Sequence, residues 1–372
     1  MHSPASHDPF DIFLVATPGL EAPLCEEALA AGFSGAVVTD GGVTFPGTWP
    51  DVWRANLMLR GATRVLARVA SFRAMHLAQL DKRARKVDWT SVLRPDIPVH
   101  VEASCRRSRI YHAGAAAQRV ATAITQTLGA PIAEDAALRM LVRIEDDLVT
   151  ISIDTTGASL HKRGFKEGVA KAPMRETMAA MFLRQCGYSG TEPVLDPMCG
   201  SATFVIEAAE IALGLRPGRE RDFAFEHLPG FDPDAWTDLR KPAALTPTAL
   251  RFHGTDRDPG AIRMATENAA RAGVADLTRF EQKSIEDLTP PDGPAGLVIV
   301  NPPYGTRIGS KGPLIGLHRT LGTVLKTRFA GWRVGIVTAD KQLAQATGLS
   351  FDTPLPPVLH GGIRVALYRA SL

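Results

Sequence analysis

Apolar runs alternate with amphipathic stretches throughout the second half of the chain. The apolar runs predict strands at residues 193–195, 251–254, 278–281, 296–300, 333–337 and 363–368. Between them, apolar residues recur at helical spacing and predict helices at residues 202–213, 261–272, 315–329 and 341–348. Such regular alternation is typical of a doubly wound parallel sheet with helices on both faces. We therefore predict an α/β fold for this half of the chain.

The first 160 residues follow a less regular pattern. A strand at residues 12–16 and a helix at 25–31 are predicted first, and two apolar runs then flank the hairpin signal Asp40-Gly41-Gly42. Further helices are predicted at residues 52–59 and 112–128, and further strands at 99–103 and 148–153. This mixture indicates a compact α+β module. Residues 161–190 then form a predicted linker, with a Gly- and Lys-rich loop and a helix from about residue 174.

The composition is ordinary for a globular protein, with 45% hydrophobic and 22% charged residues in a chain of 372. No stretch approaches the roughly 20 uninterrupted apolar residues of a membrane helix. The first apolar run lacks the basic region of a signal peptide, so we expect a cytoplasmic protein. The four cysteines, Cys25, Cys105, Cys186 and Cys199, form no CxxC pair. We therefore expect reduced thiols, with neither a zinc site nor a disulfide framework.

The formal net charge is +3, and the charged residues are distributed unevenly along the chain. Acidic residues between positions 60 and 119 are few: Asp81, Asp88, Asp96 and Glu102. Basic residues in the same span are many: Arg60, Arg64, Arg68, Arg73, Lys82, Arg83, Arg85, Lys86, Arg94, Arg106, Arg107, Arg109 and Arg119. This asymmetry is typical of a polyanion-binding module joined to an enzyme. A solvated basic face with no partner is the alternative interpretation.

The motif Asn301-Pro302-Pro303-Tyr304 directly follows an apolar strand. Ligands of open α/β sheets bind at the carboxyl ends of strands. There the Asn301 side-chain oxygen can accept a hydrogen bond from an amino group, the two prolines stiffen the turn, and Tyr304 offers a face for base stacking. The motif indicates a site that presents an sp² amino nitrogen to a methyl donor. A rigid loop with an asparagine cap is the alternative.

Two further motifs follow strands of the same predicted sheet. In Asp196-Pro197-Met198-Cys199-Gly200-Ser201, the small residues let backbone N–H groups approach a ligand at a helix N-terminus, and Asp196 can engage a cationic amino acid moiety. Asp256 lies where doubly wound folds bind the hydroxyls of a ribose, and Asp258 is predicted to cap the next helix. The chain lacks the GxGxxG fingerprint and the P-loop lysine, which disfavours nicotinamide cofactors and nucleoside triphosphates.

The chain resembles class I methyltransferases that modify exocyclic amino groups. Four features carry this resemblance: DPMCGS, Asp256, ENAARAG and NPPYG. Residues 161–372 are similar to the bacterial 23S rRNA guanine-N2 methyltransferase group, also through HKRGFKEG, KAPMRETMAA and GWRVGIVTAD. Upstream, FRAMHLAQLDKRARKVDW and SRIYHAGAAAQRVATAI are similar to THUMP domains. The resemblance implies an α/β, Rossmann-like class I methyltransferase domain preceded by a ferredoxin-like/THUMP α+β RNA-binding module. It divides the chain into a ferredoxin-like domain (1–60), a THUMP-like domain (61–160), the linker (161–190) and the methyltransferase domain (191–372).

The resemblance also implies S-adenosylmethionine as cofactor and structured RNA as partner. The residues that it assigns to the cofactor are Asp196, Met198, Gly200, Ser201, Asp256, Ser284, Arg163 and Phe165, with Gly164 and Arg175 beside them. The residues that it assigns to the target base are Asn301, Pro302, Pro303 and Tyr304. Ala202 and Ser284 depart from the family pattern, which commonly has Gly and Asp at these positions. We therefore expect cofactor binding with reduced affinity.

The resemblance favours methylation of guanine N2 in 23S rRNA. Guanine N2 of a transfer RNA and adenine N6 of RNA or DNA are alternatives, because the NPPY motif suits both bases. An RNA-binding assembly factor that has lost catalysis and, more distantly, a nicotinamide oxidoreductase also stay open. No general base is evident near Asn301, so we expect catalysis mainly by positioning.

Overall fold

A computed structural model describes residues 9–167, 174–242, 244–304 and 311–372. The chain divides into two compact units. Unit 1 comprises residues 1–16, 25–160 and 221–241, and unit 2 comprises residues 17–24, 161–220 and 242–372. The predicted division into four domains stays a prediction. No helix among the described residues is long and apolar enough to cross a membrane.

The first part of the chain contributes seven strands and four helices. In chain order they are β1 (Phe10–Val15), α1 (Glu21–Ala30), β2 (Val37–Thr39), β3 (Gly42–Gly47), α2 (Trp49–Met58), β4 (Arg64–Arg73), α3 (Leu77–Ala84), β5 (Val99–Arg106), α4 (Ala113–Leu128), β6 (Leu138–Glu145) and β7 (Leu148–Asp154). The strands form one sheet in the order β2-β3-β1-β4-β7-β6-β5, in which only β5 and β6 pair in parallel. Strands that were predicted in two separate domains therefore share a single sheet.

The remaining elements begin at residue 176. In chain order they are α5 (Glu176–Gln185), β8 (Val194–Asp196), α6 (Thr203–Leu213), α7 (Pro233–Arg240), β9 (Phe252–Asp256), α8 (Pro259–Arg271), β10 (Thr278–Gln282), β11 (Leu297–Val300), α9 (Lys311–Arg328), β12 (Arg333–Thr338), α10 (Lys341–Ala346), β13 (Val358–His360) and β14 (Ile363–Ser371). Every strand and helix predicted for this half is present, within a few residues of its predicted bounds. Helix α7 and strand β13 were not predicted.

Unit 2 is built on a sheet with the order β10-β9-β8-β11-β12-β14-β13. Strands β8 to β12 pair in parallel, as predicted. Strand β14 runs antiparallel to β12, so the predicted parallel sheet is mixed at this edge. The reason is the Gly361-Gly362 turn, whose residues have φ of +57° and +84° and reverse the chain between β13 and β14. The fold is Rossmann-like, as predicted.

Helix α7 belongs to unit 1 although its sequence lies within the second half of the chain. The segment 221–241 is held there by aromatic packing, since Phe225 stacks on Trp53 with ring centroids 6.1 Å apart. Trp236 of α7 meets Phe225 edge-on at 4.9 Å. Burial of these rings stabilises the segment within unit 1.

Candidate functional site

The strand order of unit 2 reverses between β8 and β11, which pair with each other and lead to opposite halves of the sheet. Such a switch point opens a crevice outside the carboxyl ends of the two strands. Asp196 ends β8, and Asn301 directly follows β11. Asp256 ends β9, and Gln282, which pairs with Asp256, ends β10. The predicted site residues Asp196, Asp256 and Asn301 therefore lie along one edge of the sheet, where β10, the strand before Ser284, also ends.

Asp196 is a buried carboxyl at the start of the loop to α6. Its side chain is 3% exposed, and Oδ1 accepts a hydrogen bond of 3.0 Å from the backbone N–H of Met198. The pKa of Asp196 is raised to about 8, mainly by burial; the Met198 hydrogen bond acts to lower it and the nearby Asp256 carboxylate acts to raise it. A cationic ligand beside Asp196 would favour the ionised form. The position therefore suits the positively charged amino group that the sequence analysis assigned to it.

Asp196→Asn should stabilise the ligand-free protein at neutral pH. Below about pH 4 the carboxyl is protonated in both the folded and the unfolded chain, so wild type and variant should be equally stable. Between pH 4 and pH 8 only the unfolded chain ionises, because the folded pKa is about 8 against an ordinary 3.8. The advantage of the variant should grow to on the order of 6 kcal/mol by pH 8 and then stay constant. Thermal melting at pH 5 and pH 8 checks this, and an advantage that shrinks with rising pH would contradict it.

The loop between β8 and α6 turns through two left-handed residues. Gly200 has φ of +51°, and Ala202, the residue that precedes α6, has φ of +66°. A non-glycine residue in this region costs on the order of 1 kcal/mol. The structure therefore gives a conformational reason for the glycine that the family resemblance led us to expect at the position of Ala202. The buried Ser201 and the half-buried Met198 complete the loop.

Asp256 holds the same loop from the neighbouring strand. Its Oδ2 accepts a 3.0 Å hydrogen bond from the backbone N–H of Gly200, and its Oδ1 accepts one of 3.0 Å from that of Asp258. The Asp258 carboxylate caps α8 by accepting from the N–H of Gly260 at 2.8 Å, so the predicted cap is confirmed. A binding role of Asp256 toward a ribose stays a prediction.

Ser284 lies two residues beyond the end of β10. The preceding Lys283 donates its backbone N–H to the carbonyl of Asp256 at 3.0 Å, which fixes the turn beside β9. The Ser284 hydroxyl donates to Oδ2 of Asp287 at 2.7 Å. Asp287 was not singled out in the sequence, where nothing distinguishes it from the other acids nearby.

The linker residues predicted to close a cofactor pocket are engaged within unit 2. Arg163 is buried, and its guanidinium lies 3.3 Å from the Glu207 carboxylate on α6. Gly164 has φ of +100°, and Arg175 is the residue that precedes α5. Residues 168–173 lie outside the described residues. The assignment of Arg163, Gly164 and Arg175 to a cofactor stays a prediction.

Two residues of the ENAARAG motif connect the linker to the first loop. Arg271 donates from Nε to the carbonyl of the buried Phe165 at 2.8 Å and from Nη2 to Oδ1 of Asn268 at 2.6 Å. Asn268 in turn donates from Nδ2 to the carbonyl of Ser201 at 3.2 Å. The sequence analysis quoted this motif without assigning it a role. Its role in the fold is to hold the loop that follows β8.

The NPPY motif presents one buried acceptor. Asn301 Oδ1 is buried, and the described part of the chain offers it no hydrogen-bond partner. Pro302 is buried, Pro303 and Tyr304 are half-buried, and burial raises the pKa of the Tyr304 hydroxyl. That hydroxyl lies 3.3 Å from Nδ1 of His360 at the end of β13, a contact that sequence reasoning missed. Residues 305–310, which include the final glycine of NPPYG, lie outside the described residues.

The basic residues of unit 1 are partly neutralised. Among the arginines between residues 60 and 119, those with an acidic partner within 4 Å are Arg64, Arg68, Arg85, Arg94, Arg106 and Arg107. Lys82, Arg83 and Lys86, on or just after α3, are exposed, as is Arg109. Tyr111, two residues after Arg109, is 84% exposed. An exposed aromatic ring among cations can stack on an unpaired base.

The structure records all four cysteines as free thiols. Cys186 and Cys199 are buried, and burial raises the pKa of both thiols. Within the described ranges, no group of three or more histidine, cysteine, aspartate or glutamate side chains could hold a metal ion.

Two family models match separate parts of the chain. A family model described as "RMKL-like, methyltransferase domain" matches residues 163–355, and one described as "RlmL ferredoxin-like domain" matches residues 11–66. The chain is similar to the ribosomal RNA large subunit methyltransferase K/L of Vibrio campbellii, with 31% identity over 353 residues. This match covers 91% of the chain and 50% of the relative, so the chain spans about half the length of the curated relatives it matches.

Two solved structures resemble nearly the whole chain. SMU.472 in its complex with SAH has a TM-score of 0.89 at 29% identity, and the match covers 98% of this chain and 99% of that one. A "predicted N6-adenine-specific DNA methylase" from Listeria monocytogenes has a TM-score of 0.87 at 31% identity, over 97% of this chain and 96% of that one. The predicted resemblance is confirmed. Since the first family model covers more than half of the 372 residues, the chain belongs to the RMKL-like methyltransferase family.

Proposed function

We propose that this protein transfers a methyl group from S-adenosylmethionine to an exocyclic amino group in structured RNA, and that its target is N2 of a guanine in 23S ribosomal RNA. The observation that carries the proposal is the buried Oδ1 of Asn301 at the switch point of the sheet, which has no hydrogen-bond partner among the described residues. A buried acceptor without a partner is costly, and an amino group of a bound base would satisfy it. The name of the Vibrio relative supports ribosomal RNA as the substrate. Such a substrate implies a cytoplasmic protein.

The residues beside Asn301 suit the proposed cofactor. The buried Asp196 can ionise against an ammonium group, and Gly200 has no side chain to obstruct the loop. Asp256 can accept hydrogen bonds from ribose hydroxyls, and Ser284 can accept one from the adenine amino group. The complex of SMU.472 with SAH supports this assignment at 29% identity over nearly the whole chain. When bound, S-adenosylmethionine supplies a methyl group on a positively charged sulfur.

Asn301 and the NPPY backbone would prepare the base for transfer. Asn301 Oδ1 and the carbonyl of Pro302 accept hydrogen bonds from the two amino protons, which favours the pyramidal nitrogen whose lone pair is free. Tyr304 stacks on the base, and His360, 3.3 Å from the Tyr304 hydroxyl, holds that ring as a positioning residue. Positioning of this kind can account for most of the catalysis without a general base on the protein.

Adenine N6 is the second candidate target, favoured by the name of the Listeria structure at 31% identity. A transfer RNA guanine and a catalytically inactive assembly factor are further alternatives from the sequence. Labelled S-adenosylmethionine, incubated with protein-free 23S rRNA, bulk transfer RNA and duplex DNA, separates these functions. We expect label in 23S rRNA. Label in DNA or transfer RNA alone would overturn the proposed substrate, and no label despite cofactor binding would favour the assembly factor.

Tyr111→Ala should weaken RNA binding without changing cofactor binding. Stacking of one base on an aromatic side chain contributes about 1–3 kcal/mol, so we expect roughly tenfold weaker binding or more. Filter binding with a 23S rRNA fragment at fixed salt measures the effect. Ile132→Ala, which removes another exposed apolar side chain of unit 1, is the control and should leave RNA affinity unchanged. Equal affinities of wild type and Tyr111→Ala would remove Tyr111 from the RNA-binding surface.

A further inference from the structure

The Ser284 hydroxyl donates its hydrogen bond to the Asp287 carboxylate. The Ser284 Oγ to Asp287 Oδ2 distance is 2.7 Å, and an ionised carboxylate can only accept. The hydroxyl hydrogen therefore points at Asp287. The lone pairs of Ser284 Oγ then remain for a different group, which must be a donor.

The backbone of the turn keeps Asp287 in place independently of this hydrogen bond. Ile285 and Leu288, on either side of it, are buried in the core beneath the sheet. Arg328 Nη1 donates to the carbonyls of Glu286 and Leu288, both at 2.8 Å. Because these contacts fix the turn, Asp287 can orient the Ser284 hydroxyl rather than follow it.

We propose that Asp287 makes Ser284 an obligate hydrogen-bond acceptor and thereby selects a 6-aminopurine over a 6-oxopurine at the cofactor's base. This inference rests on the proposed function, in which Ser284 contacts the adenine of the cofactor. A serine alone does not discriminate, because its hydroxyl can rotate to donate to a 6-oxo group or accept from a 6-amino group. With its hydrogen held by Asp287, Ser284 would face a 6-oxo group with lone pairs only. The negative charge of Asp287 also polarises the hydroxyl into a stronger acceptor.

This pair accounts for a serine at the position where the family resemblance led us to expect an aspartate. A carboxylate is still present nearby, but it belongs to Asp287, three residues later in the chain. The Ser284 hydroxyl would lie between this carboxylate and the base. Lys283, which donates to the Asp256 carbonyl, keeps Ser284 next to the strand end that carries the proposed ribose ligand.

Calorimetry with two ligands tests the pair: S-adenosylhomocysteine and its 6-oxo analogue S-inosylhomocysteine. Wild type should bind S-adenosylhomocysteine at least about tenfold more tightly than S-inosylhomocysteine. The 6-amino group donates a hydrogen bond to Ser284 Oγ, whereas the 6-oxo group is repelled by the lone pairs of that oxygen. In Asp287→Ala the ratio of the two dissociation constants should fall to about threefold or less, because the freed hydroxyl can donate to the 6-oxo group. Ser284→Ala should lower the ratio similarly.

Glu286→Gln is the matched control, since Glu286 is the exposed acid immediately before Asp287. It should keep the wild-type ratio, and thermal melting should show all variants folded. An unchanged ratio in folded Asp287→Ala would overturn the inference alone, as would a wild type that binds both ligands equally. A folded wild type that binds neither ligand would instead overturn the proposed function.

Discussion

Asn301→Ala should lose about 100- to 1,000-fold in the rate of methyl transfer, the usual cost of removing one well-placed hydrogen-bond acceptor or donor from a reacting group. The reason is that Oδ1 of Asn301 is buried without a partner in the described structure, so its hydrogen bond is available to the substrate. Cofactor affinity should change less than threefold, because Asn301 is proposed to touch the base alone. Single-turnover transfer from labelled S-adenosylmethionine measures the rate, and calorimetry measures the affinity.

Asn301→Asp provides the matched variant. A carboxylate keeps an acceptor at the same position, so this variant should retain more activity than Asn301→Ala. Thermal melting should show both variants folded, since no described hydrogen bond of Oδ1 is lost. Near-full transfer by folded Asn301→Ala would rule out the proposed role of Asn301.

Asp256→Ala should weaken binding of S-adenosylmethionine by about 100-fold or more, since hydrogen bonds to a charged group contribute about 1.5–3 kcal/mol each. Two effects act together. The variant loses the proposed acceptor for the ribose hydroxyls, and it loses the 3.0 Å hydrogen bond that holds Gly200. Calorimetric titration measures the dissociation constant.

Asp258→Ala is the control for Asp256→Ala. Asp258 lies two residues away and caps α8, so its loss should cost about 1 kcal/mol of stability with little change in affinity. If Asp256→Ala binds the cofactor as tightly as Asp258→Ala does, Asp256 does not contact the ribose.

The sequence predicted the strands of the site most clearly at β11, a short, fully apolar run that is followed by polar Asn301. Leu297–Val300, before Asn301, is buried at every position. The order of such strands along the chain implies the α/β sheet, and a sheet of this kind brings their carboxyl ends to one edge. Asp196, Asp256 and Asn301 could therefore be predicted as neighbours from the sequence.

Other elements were missed for identifiable reasons. In β6 the buried Leu138, Met140, Val142 and Ile144 alternate with less buried residues, three of which are charged, a strand signal that was overlooked. Helix α7 has a short sequence with few apolar residues, and contacts of Trp236 with distant rings stabilise it. No local pattern contains that information.

The contacts that orient the site residues were also beyond the sequence. Tyr304 and His360 are 56 residues apart, and Asn268 and Ser201 are 67 apart. Each pair forms only because separate elements meet in the folded sheet. The left-handed backbone of Ala202 is likewise a property of its loop, since an alanine gives no signal for it.

The identity of the methylated nucleoside tests the central claim most directly. Protein-free 23S rRNA would be incubated with the protein and deuterated S-adenosylmethionine, digested to nucleosides and analysed by mass spectrometry. The proposal predicts deuterated N2-methylguanosine that forms with wild type and is nearly absent with Asn301→Ala. Deuterium in N6-methyladenosine, or in a methyl group on ribose or ring carbon, would contradict it.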